Sequence, residues 1–222
     1  MTGLVRKAIL ITVGASLYAG AAMAVTPSAA NSSFQTTPIA LVGRNAANTP
    51  AEDSFGNFSV TVRDAGNIPI QGATVTVNFN GCTPDIILSR IQTFTGVSVI
   101  CNGARGVISG QTNNLGVVSF RILGGADNNS GNEPGNTTAC AELRANNVFF
   151  TNLAVAALDQ TNNLDGVLPG DLSVLISDVN QGNQARRSDV NLDGAVNPGD
   201  VGVQINHVNA GRSSQNTLAL CP

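Results

Sequence analysis

One run of twelve residues carries the side chains best suited to chemistry. The run DVNLDGAVNPGD, residues 189–200, has oxygen-bearing side chains at positions 1, 3, 5, 9 and 12 and a glycine at position 6. This spacing is typical of a loop that wraps around calcium, a hard cation that takes six to eight oxygen ligands. The sequence therefore predicts a calcium site in this loop, which we call loop 2.

The predicted ligands follow one another along loop 2. They are Asp189, Asn191, Asp193, the backbone carbonyl of Ala195, Asn197 through a water molecule, and Asp200 from the first turn of a following helix. Gly194 permits the sharp turn that brings these oxygens together. The alternative is an Asn- and Asp-rich surface loop whose side chains only stabilise turns and need no ion.

The elements that position loop 2 occur twice. Residues 159–179 repeat residues 188–208, with Asp171 equivalent to Asp200. Pro198 and Gly211 bracket the predicted second helix, and its apolar residues available for packing are Val201, Val203, Ile205 and Val208. The duplication favours calcium binding over a plain surface loop.

The first copy, loop 1, departs from the twelve-residue pattern. Its candidate ligands are Asp159, Thr161, Asn163, Asp165 and Asp171. The loop has thirteen residues when counted from Asp159. If Asp165-Gly166 is instead aligned with Asp193-Gly194, position 1 becomes Thr161 and the end of the loop is one residue short. We expect loop 1 to bind calcium more weakly than loop 2, or not at all.

These tandem loop-helix units resemble the duplicated calcium-binding repeats of dockerin domains, over residues 158–211. The resemblance implies a small α-helical module with EF-hand-like loops, calcium as the cofactor, and a cohesin-like or other surface protein as the partner. Residues 212–222 are expected to form a C-terminal tail.

Residues 51–157 have a different pattern, in which apolar residues alternate with polar ones. Three alternating sets predict half-buried strands: Phe58, Val60 and Val62; Val75, Val77 and Phe79; and Val118, Phe120 and Ile122. Further strands are predicted at 39–42, 139–144 and 148–156, with turns at 64–67, 113–116 and 146–147 and a long loop at 124–137. About seven short strands favour a mainly β fold, an antiparallel sandwich.

Two stretches within this region resemble a known family. RDAGNIPIQGATVTVNF, residues 63–79, and TNNLGVVSF, residues 112–120, resemble bacterial immunoglobulin-like domains of the invasin and intimin kind. The resemblance implies an immunoglobulin-like β-sandwich that acts as a rigid spacer or adhesive module.

The first 24 residues predict a secretory signal peptide. Arg6 and Lys7 precede an apolar run that ends in Ala-Met-Ala, a small-x-small cleavage pattern. The alternative, a membrane anchor, is disfavoured because the run is short for a span and Gly14, Ser16 and Gly20 interrupt it. We expect a secreted protein, extracellular or at the cell surface, with no membrane span after cleavage and a lead-in segment at 25–50.

The cysteines of the chain are expected to form disulfides. The chain has four, Cys82, Cys101, Cys140 and Cys221, and an even number in an exported chain predicts two disulfides. A zinc site has no CxxC pair to support it. Of the three pairings, we expect Cys82 with Cys101 and Cys140 with Cys221.

Charge and residue types argue against two classes of function. Without residues 1–24 the chain has nine Arg against 14 acidic residues, a net charge of −5, so nucleic-acid binding has no electrostatic support. The only histidine, His207, is expected on the surface of the second helix, which leaves no Ser-His-Asp arrangement. We therefore expect no enzyme.

Two non-enzymatic hypotheses remain. In one, the dockerin-like module attaches the protein to a cohesin-type partner and the immunoglobulin-like domain is displayed. In the other, the chain is a self-associating structural subunit of an extracellular layer, filament or matrix, and calcium only stabilises it.

Overall fold

A computed structural model describes residues 25–35, 39–42, 56–82, 86–90, 92, 96–101, 106–126, 139–161, 167–184, 186–210 and 221. The predicted signal peptide, Asn163, Asp165 and most of the predicted C-terminal tail lie outside these residues. Within them, neither helix is long and apolar enough to cross a membrane.

The described residues are mainly β, as predicted. The strands are β1 Ser33–Phe34, β2 Ile39–Val42, β3 Phe58–Thr61, β4 Thr74–Asn78, β5 Ile86–Leu88, β6 Val97–Ile100, β7 Val107–Gln111, β8 Val117–Phe120, β9 Ile122–Ala126, β10 Ala141–Ala145, β11 Val148–Leu153 and β12 Val155–Ala157. The helices are α1 Pro169–Gln181 and α2 Pro198–Asn209, with short 3-10 turns at Asn80–Cys82 and Arg186–Ser188. The lead-in segment thus contributes two strands, of which only β2 was expected.

The strands form three sheets, ordered β1-β3-β8, β11-β10-β4-β7-β6 and β12-β2-β9-β5. The first two are antiparallel, but in the third β2 pairs in parallel with both β12 and β9. The expectation of a purely antiparallel sandwich is therefore wrong. All four residues of β2 are buried, and burial on both faces is typical of strands with parallel neighbours.

The core lies on the predicted face of each alternating strand. Phe58, Val60, Val75 and Val77 belong to one buried cluster, and Phe120 belongs to it too. The rings of Phe58 and Phe120 lie 6.3 Å apart, centre to centre. Period-two alternation therefore identified the residues that hold the sheets together, an arrangement consistent with a β-sandwich.

The three predicted turns are present. The Oδ1 atom of Asp64 accepts the backbone N–H groups of Gly66 and Ile68 at 2.9 and 2.8 Å. Asn113 caps the second turn in the same way. Asn146 and Asn147 both have positive φ, 44° and 67°, which is the geometry of a two-residue hairpin turn.

The long loop predicted at 124–137 is wrong at its first three residues, because Gly124, Gly125 and Ala126 belong to β9. Its other residues lie outside the described part of the chain. A Cβ atom on Gly124 would lie 2.5 Å from the carbonyl oxygen of Ile87 in β5. The glycine therefore permits close approach of the two strands rather than marking a loop.

Two disulfides are present, but both predicted pairings are wrong. Cys82 pairs with Cys140, and Cys101 pairs with Cys221. The register of β4 and β10 explains the first bridge: Asn78 lies opposite Glu142, so the residues just after β4 and just before β10 meet at one edge. Sequence spacing does not reveal this pairing. The disulfides indicate an oxidising environment.

A second apolar cluster joins the β part to the helical part. Its members come from β2, β9, the residue after β12, loop 1, α1 and loop 2. We call it the shared cluster, and it consists of Val42, Leu123, Leu158, Val167, Leu175, Val190 and Val196. The loop-helix repeats therefore pack directly on the third sheet.

Candidate calcium-binding loops

Loop 2 folds back onto its first residue. Asp189 is fully buried, and its two carboxylate oxygens accept the backbone N–H groups of Asp193 at 3.1 Å and Gly194 at 3.0 Å. Gly194 has φ 95°, in the range that favours glycine. Positions 1, 5 and 6 are thereby held together, as the predicted calcium loop requires.

In the middle of loop 2, the side-chain amides of Asn191 and Asn197 contact the Asp193 carboxylate. Asn191 accepts the N–H of Asp193 at 2.9 Å and donates from its amide to the Asp193 carboxylate at 2.8 Å. Asn197 donates to the Asp193 carboxylate and to the Ala195 carbonyl, both at 3.3 Å. Asp193 is therefore hydrogen-bonded to three other predicted ligand positions, Asn191, Ala195 and Asn197.

Asp193 is exposed, and its carboxylate is surrounded by hydrogen-bond donors. The backbone N–H of Ala195, at 3.0 Å, is the main group that lowers the pKa of the Asp193 carboxyl, and the amides of Asn191 and Asn197 lower it further. A carboxylate stabilised in this way keeps the negative charge that a cation needs.

Asp200 closes the loop from the first turn of α2. Its carboxylate is fully buried and accepts the N–H of Asn191 at 3.0 Å and the N–H of Asn197 at 2.8 Å. Asn197 caps the helix by accepting the N–H of Gly199 at 2.7 Å. The helix N-terminus also favours a negative charge at this position.

The donor set fits a hard cation. It comprises three carboxylates, the amide oxygen of Asn191 and the carbonyl of Ala195, all oxygens of the kind that calcium prefers. No ion pair to Asp193 or Asp200 occurs among the described residues. In the same part of the chain, no three acidic, His or Cys side chains are grouped closely enough to hold a metal by themselves. Binding would therefore depend on the neutral donors as well.

Loop 1 shares the frame of loop 2 at both of its ends. Asp171 is fully buried, and its carboxylate accepts the N–H groups of Thr161 at 2.9 Å and Leu168 at 2.6 Å. These bonds match those that Asp200 makes in loop 2, so Thr161 and Leu168 are equivalent to Asn191 and Asn197. Asp159 then falls at position 1, and the additional residue lies between Thr161 and Leu168.

The described donors of loop 1 are fewer. Thr161 donates its hydroxyl to Asp171 at 3.0 Å, and Leu168 has no side-chain oxygen where loop 2 has Asn197. Asp159 is fully buried at the start of the loop. The structure brings Thr161 and Asp171 into hydrogen-bond contact across the two ends of loop 1, and Asp159 lies two residues before Thr161.

Helix α2 presents a different face from the one expected. Gln204 and His207 are buried together with Asp200, whereas Ile205 is 39% exposed. The expectation that His207 lies on the surface is therefore wrong, as is the packing role given to Ile205. Residues 200, 204 and 207 are spaced by three or four positions, so they lie on one face of α2, and that face points inward. From it, the side-chain amide of Gln204 donates to the carbonyl of Leu158 at 2.5 Å.

A buried polar network beside the loops was not predicted. Asp178 of α1 lies 3.4 Å from the Arg187 guanidinium and accepts from Ser188 at 2.5 Å and from Asn183 at 2.9 Å. Gln160 donates to the carbonyl of Arg187 at 2.9 Å. The only sequence signal was that Asp178 occupies the repeat position of His207. The network fixes the linker between α1 and loop 2.

Comparison of the chain with protein-family models, curated proteins and solved structures gives no match in any of the three.

Proposed function

We propose that this is a secreted, calcium-binding modular protein of the cell surface or extracellular space, and that its loop-helix repeats mediate assembly with another protein. One observation carries the proposal. The hydrogen bonds of Asp189 and Asp200 converge on a twelve-residue loop in which all five direct donor positions are occupied by oxygen.

The residues of loop 2 have three different roles in binding the ion. Asp189, Asp193 and Asp200 supply negative charge, and Asn191 and the Ala195 carbonyl complete the oxygen set. A bound calcium ion would supply two positive charges that offset the mutual repulsion of the carboxylates. Asn197 orders the loop by contacting Asp193 and by capping α2.

Exposed apolar side chains at equivalent repeat positions support a partner-binding role. Ile176 of α1 and Ile205 of α2 are each 39% exposed and occupy corresponding positions of the two repeats. Both repeats therefore present a partly exposed apolar side chain at the same helical position. The resemblance to dockerin domains makes a cohesin-type protein the partner to test first, with the β-sandwich as the displayed spacer or adhesive module.

A pull-down with a panel of cohesin domains tests the proposal. Wild-type protein should bind in calcium and not in chelator, and the Ile176→Ser/Ile205→Ser variant should lose binding. Ile68→Ser is the matched control, because Ile68 is 62% exposed in a turn of the β part. Equal binding by the double variant would show that the repeat surface is not the contact.

A second candidate function is favoured by the shared cluster. Repeats that pack on the third sheet suit a structural subunit of an extracellular layer, filament or matrix, in which calcium only stabilises the fold. Sedimentation measurements separate the two functions: a structural subunit should self-associate in calcium without any partner, whereas a partner-binding module should remain monomeric until the partner is added.

A further inference from the structure

We infer that calcium at loop 2 stabilises the third β-sheet as well as the helices, because the repeats and the β-sandwich form one cooperative folding unit. This inference rests on the proposed calcium binding and goes beyond it. It assigns the ion a role in holding β2 and β9, which contain none of its ligands.

The first step is the alternation of ligands and core residues along loop 2. Asp189 is followed by Val190, and Ala195 is followed by Val196; both valines are buried in the shared cluster. On the other side of that cluster lie Val42 of β2 and Leu123 of β9. A loop that loses its ordered form must withdraw Val190 and Val196, which leaves apolar surface of the sheet exposed to water.

The second step is the hydrogen bonding at the start of loop 1. The N–H of Leu158 donates to the carbonyl of Leu41 at 3.2 Å, and the N–H of Ala126 donates to the carbonyl of Asp159 at 2.8 Å. These bonds continue the pairing of the third sheet into the first residues of the repeat. From the helical side, Gln204 donates to the carbonyl of Leu158. No flexible linker separates the sheet from the repeats at this junction.

The third step is a covalent connection at the other end of the repeats. Cys221 is fully buried in the main core and forms a disulfide with Cys101, which follows β6. Its backbone N–H donates to the carbonyl of Leu88 in β5 at 3.0 Å. The chain therefore enters the repeats from β12 and returns to the β part after them, so that the two parts are joined at both ends.

Linkage then gives the expected size of the effect. A ligand that binds only the folded state lowers the unfolded population by a factor of about one hundred when its free concentration is a hundred times its dissociation constant. If folding is cooperative, amides of β2 and β9 share this protection although they lie outside the calcium loop.

Hydrogen exchange of the full chain, read by mass spectrometry, tests the inference, with calorimetry on the same sample as a separate measure of binding. Calcium should slow exchange in 39–42 and 122–126 by up to about a hundredfold relative to chelator. Asp193→Asn, which keeps the shape of an exposed side chain but removes a charge, should reduce the difference by roughly tenfold or more. Asp64→Asn is the matched control in a turn of the β part and should retain it.

The outcomes separate the two claims. Calcium binding by calorimetry with unchanged exchange in β2 and β9 would overturn the cooperative coupling and leave the proposed calcium site intact. Absence of both binding and exchange changes would overturn both. Val196→Ala supplies a further test, because it retains every ligand: it should still bind calcium but transfer less protection to β2.

Discussion

Thr161 donates two hydrogen bonds to a single oxygen of Asp171, one from its backbone N–H at 2.9 Å and one from its hydroxyl at 3.0 Å. The equivalent residue of loop 2, Asn191, gives its backbone N–H to Asp200 but directs its side chain to Asp193. The two repeats thus share a backbone frame and differ in the oxygens they offer a cation.

This difference predicts unequal calcium binding. Calorimetry should show one tighter event at loop 2, and Asp189→Ala or Asp193→Ala should weaken it by roughly tenfold or more, because affinity follows the number of charged ligands. Asp165→Ala in loop 1 should change that event much less. Equal effects of the loop 1 and loop 2 variants would contradict the assignment.

The disulfide pattern predicts which tryptic peptides remain linked. Cleavage after arginine places the four cysteines in four peptides, 64–90, 91–105, 122–144 and 213–222. Unreduced digests should contain 64–90 joined to 122–144 and 91–105 joined to 213–222. A link between 64–90 and 91–105 would show that Cys82 pairs with Cys101 instead. Reduction before digestion provides the control.

The buried ion pair predicts a large cost for removing one partner. Asp178→Ala leaves Arg187 buried with an uncompensated charge, since both side chains are almost fully inaccessible. We expect a loss of about 3–5 kcal/mol in the free energy of unfolding, measured by urea titration. Glu142→Ala, which breaks a partly exposed pair with Arg144, is the control and should have little effect. Similar losses of unfolding free energy in Asp178→Ala and Glu142→Ala would show that burial of the Asp178–Arg187 pair does not increase the cost of breaking it.

The Glu142–Arg144 pair predicts a small dependence of stability on pH. The hydrogen bond from Arg144 lowers the pKa of Glu142 below its unfolded value of about 4.3. Its contribution is therefore present above that pH and is lost as the pH falls through the lower folded value. The urea midpoints of wild type and Glu142→Gln should differ slightly at neutral pH and converge in acid. A difference between the two midpoints that grows in acid would show that the pKa of Glu142 is raised on folding, not lowered.

Alanine substitution at two glycines should distinguish the stability cost of backbone strain from that of a steric clash. Gly72 and Gly116 have φ 71° and 74°, but only a Cβ on Gly116 would meet another atom closely, the carbonyl oxygen of Val62 at 2.6 Å. Gly72→Ala should cost about 1–2 kcal/mol of stability from the left-handed conformation. Gly116→Ala should cost more, and thermal unfolding of the two variants checks the order. An equal cost would show that the strand edge moves freely.

Local features could be predicted from sequence and long-range ones could not. The spacing of Asp189, Asp193 and Gly194 suffices to anticipate the turn of loop 2, because the hydrogen bonds of Asp189 and Asp200 lie within twelve residues. Alternation also identified the buried face of β3, β4 and β8. The burial of Asp178 and Arg187 contradicts the usual exposure of charged residues, and it becomes intelligible only when the linker folds back on α1.

Pairing partners were the harder problem. Strand β7 contains Gly110, and β9 contains two consecutive glycines, so neither has the composition of a typical strand. The Cys82–Cys140 pairing follows from the register of β4 and β10, which the spacing of the cysteines does not reveal. The inward turn of His207 likewise depends on how α2 lies against its neighbours.

The parallel pairing of β2 has a consequence for how the chain folds. This strand, Ile-Ala-Leu-Val, is made early, but the strands on either side of it begin only at Ile122 and Val155. Its apolar residues must therefore stay without their native neighbours until most of the chain has emerged, and closing such long loops makes folding slow. We expect the rate-limiting step of refolding to be the pairing of β2 with β9 and β12. The strand of the third sheet that is synthesised first is then among the last to form its hydrogen bonds.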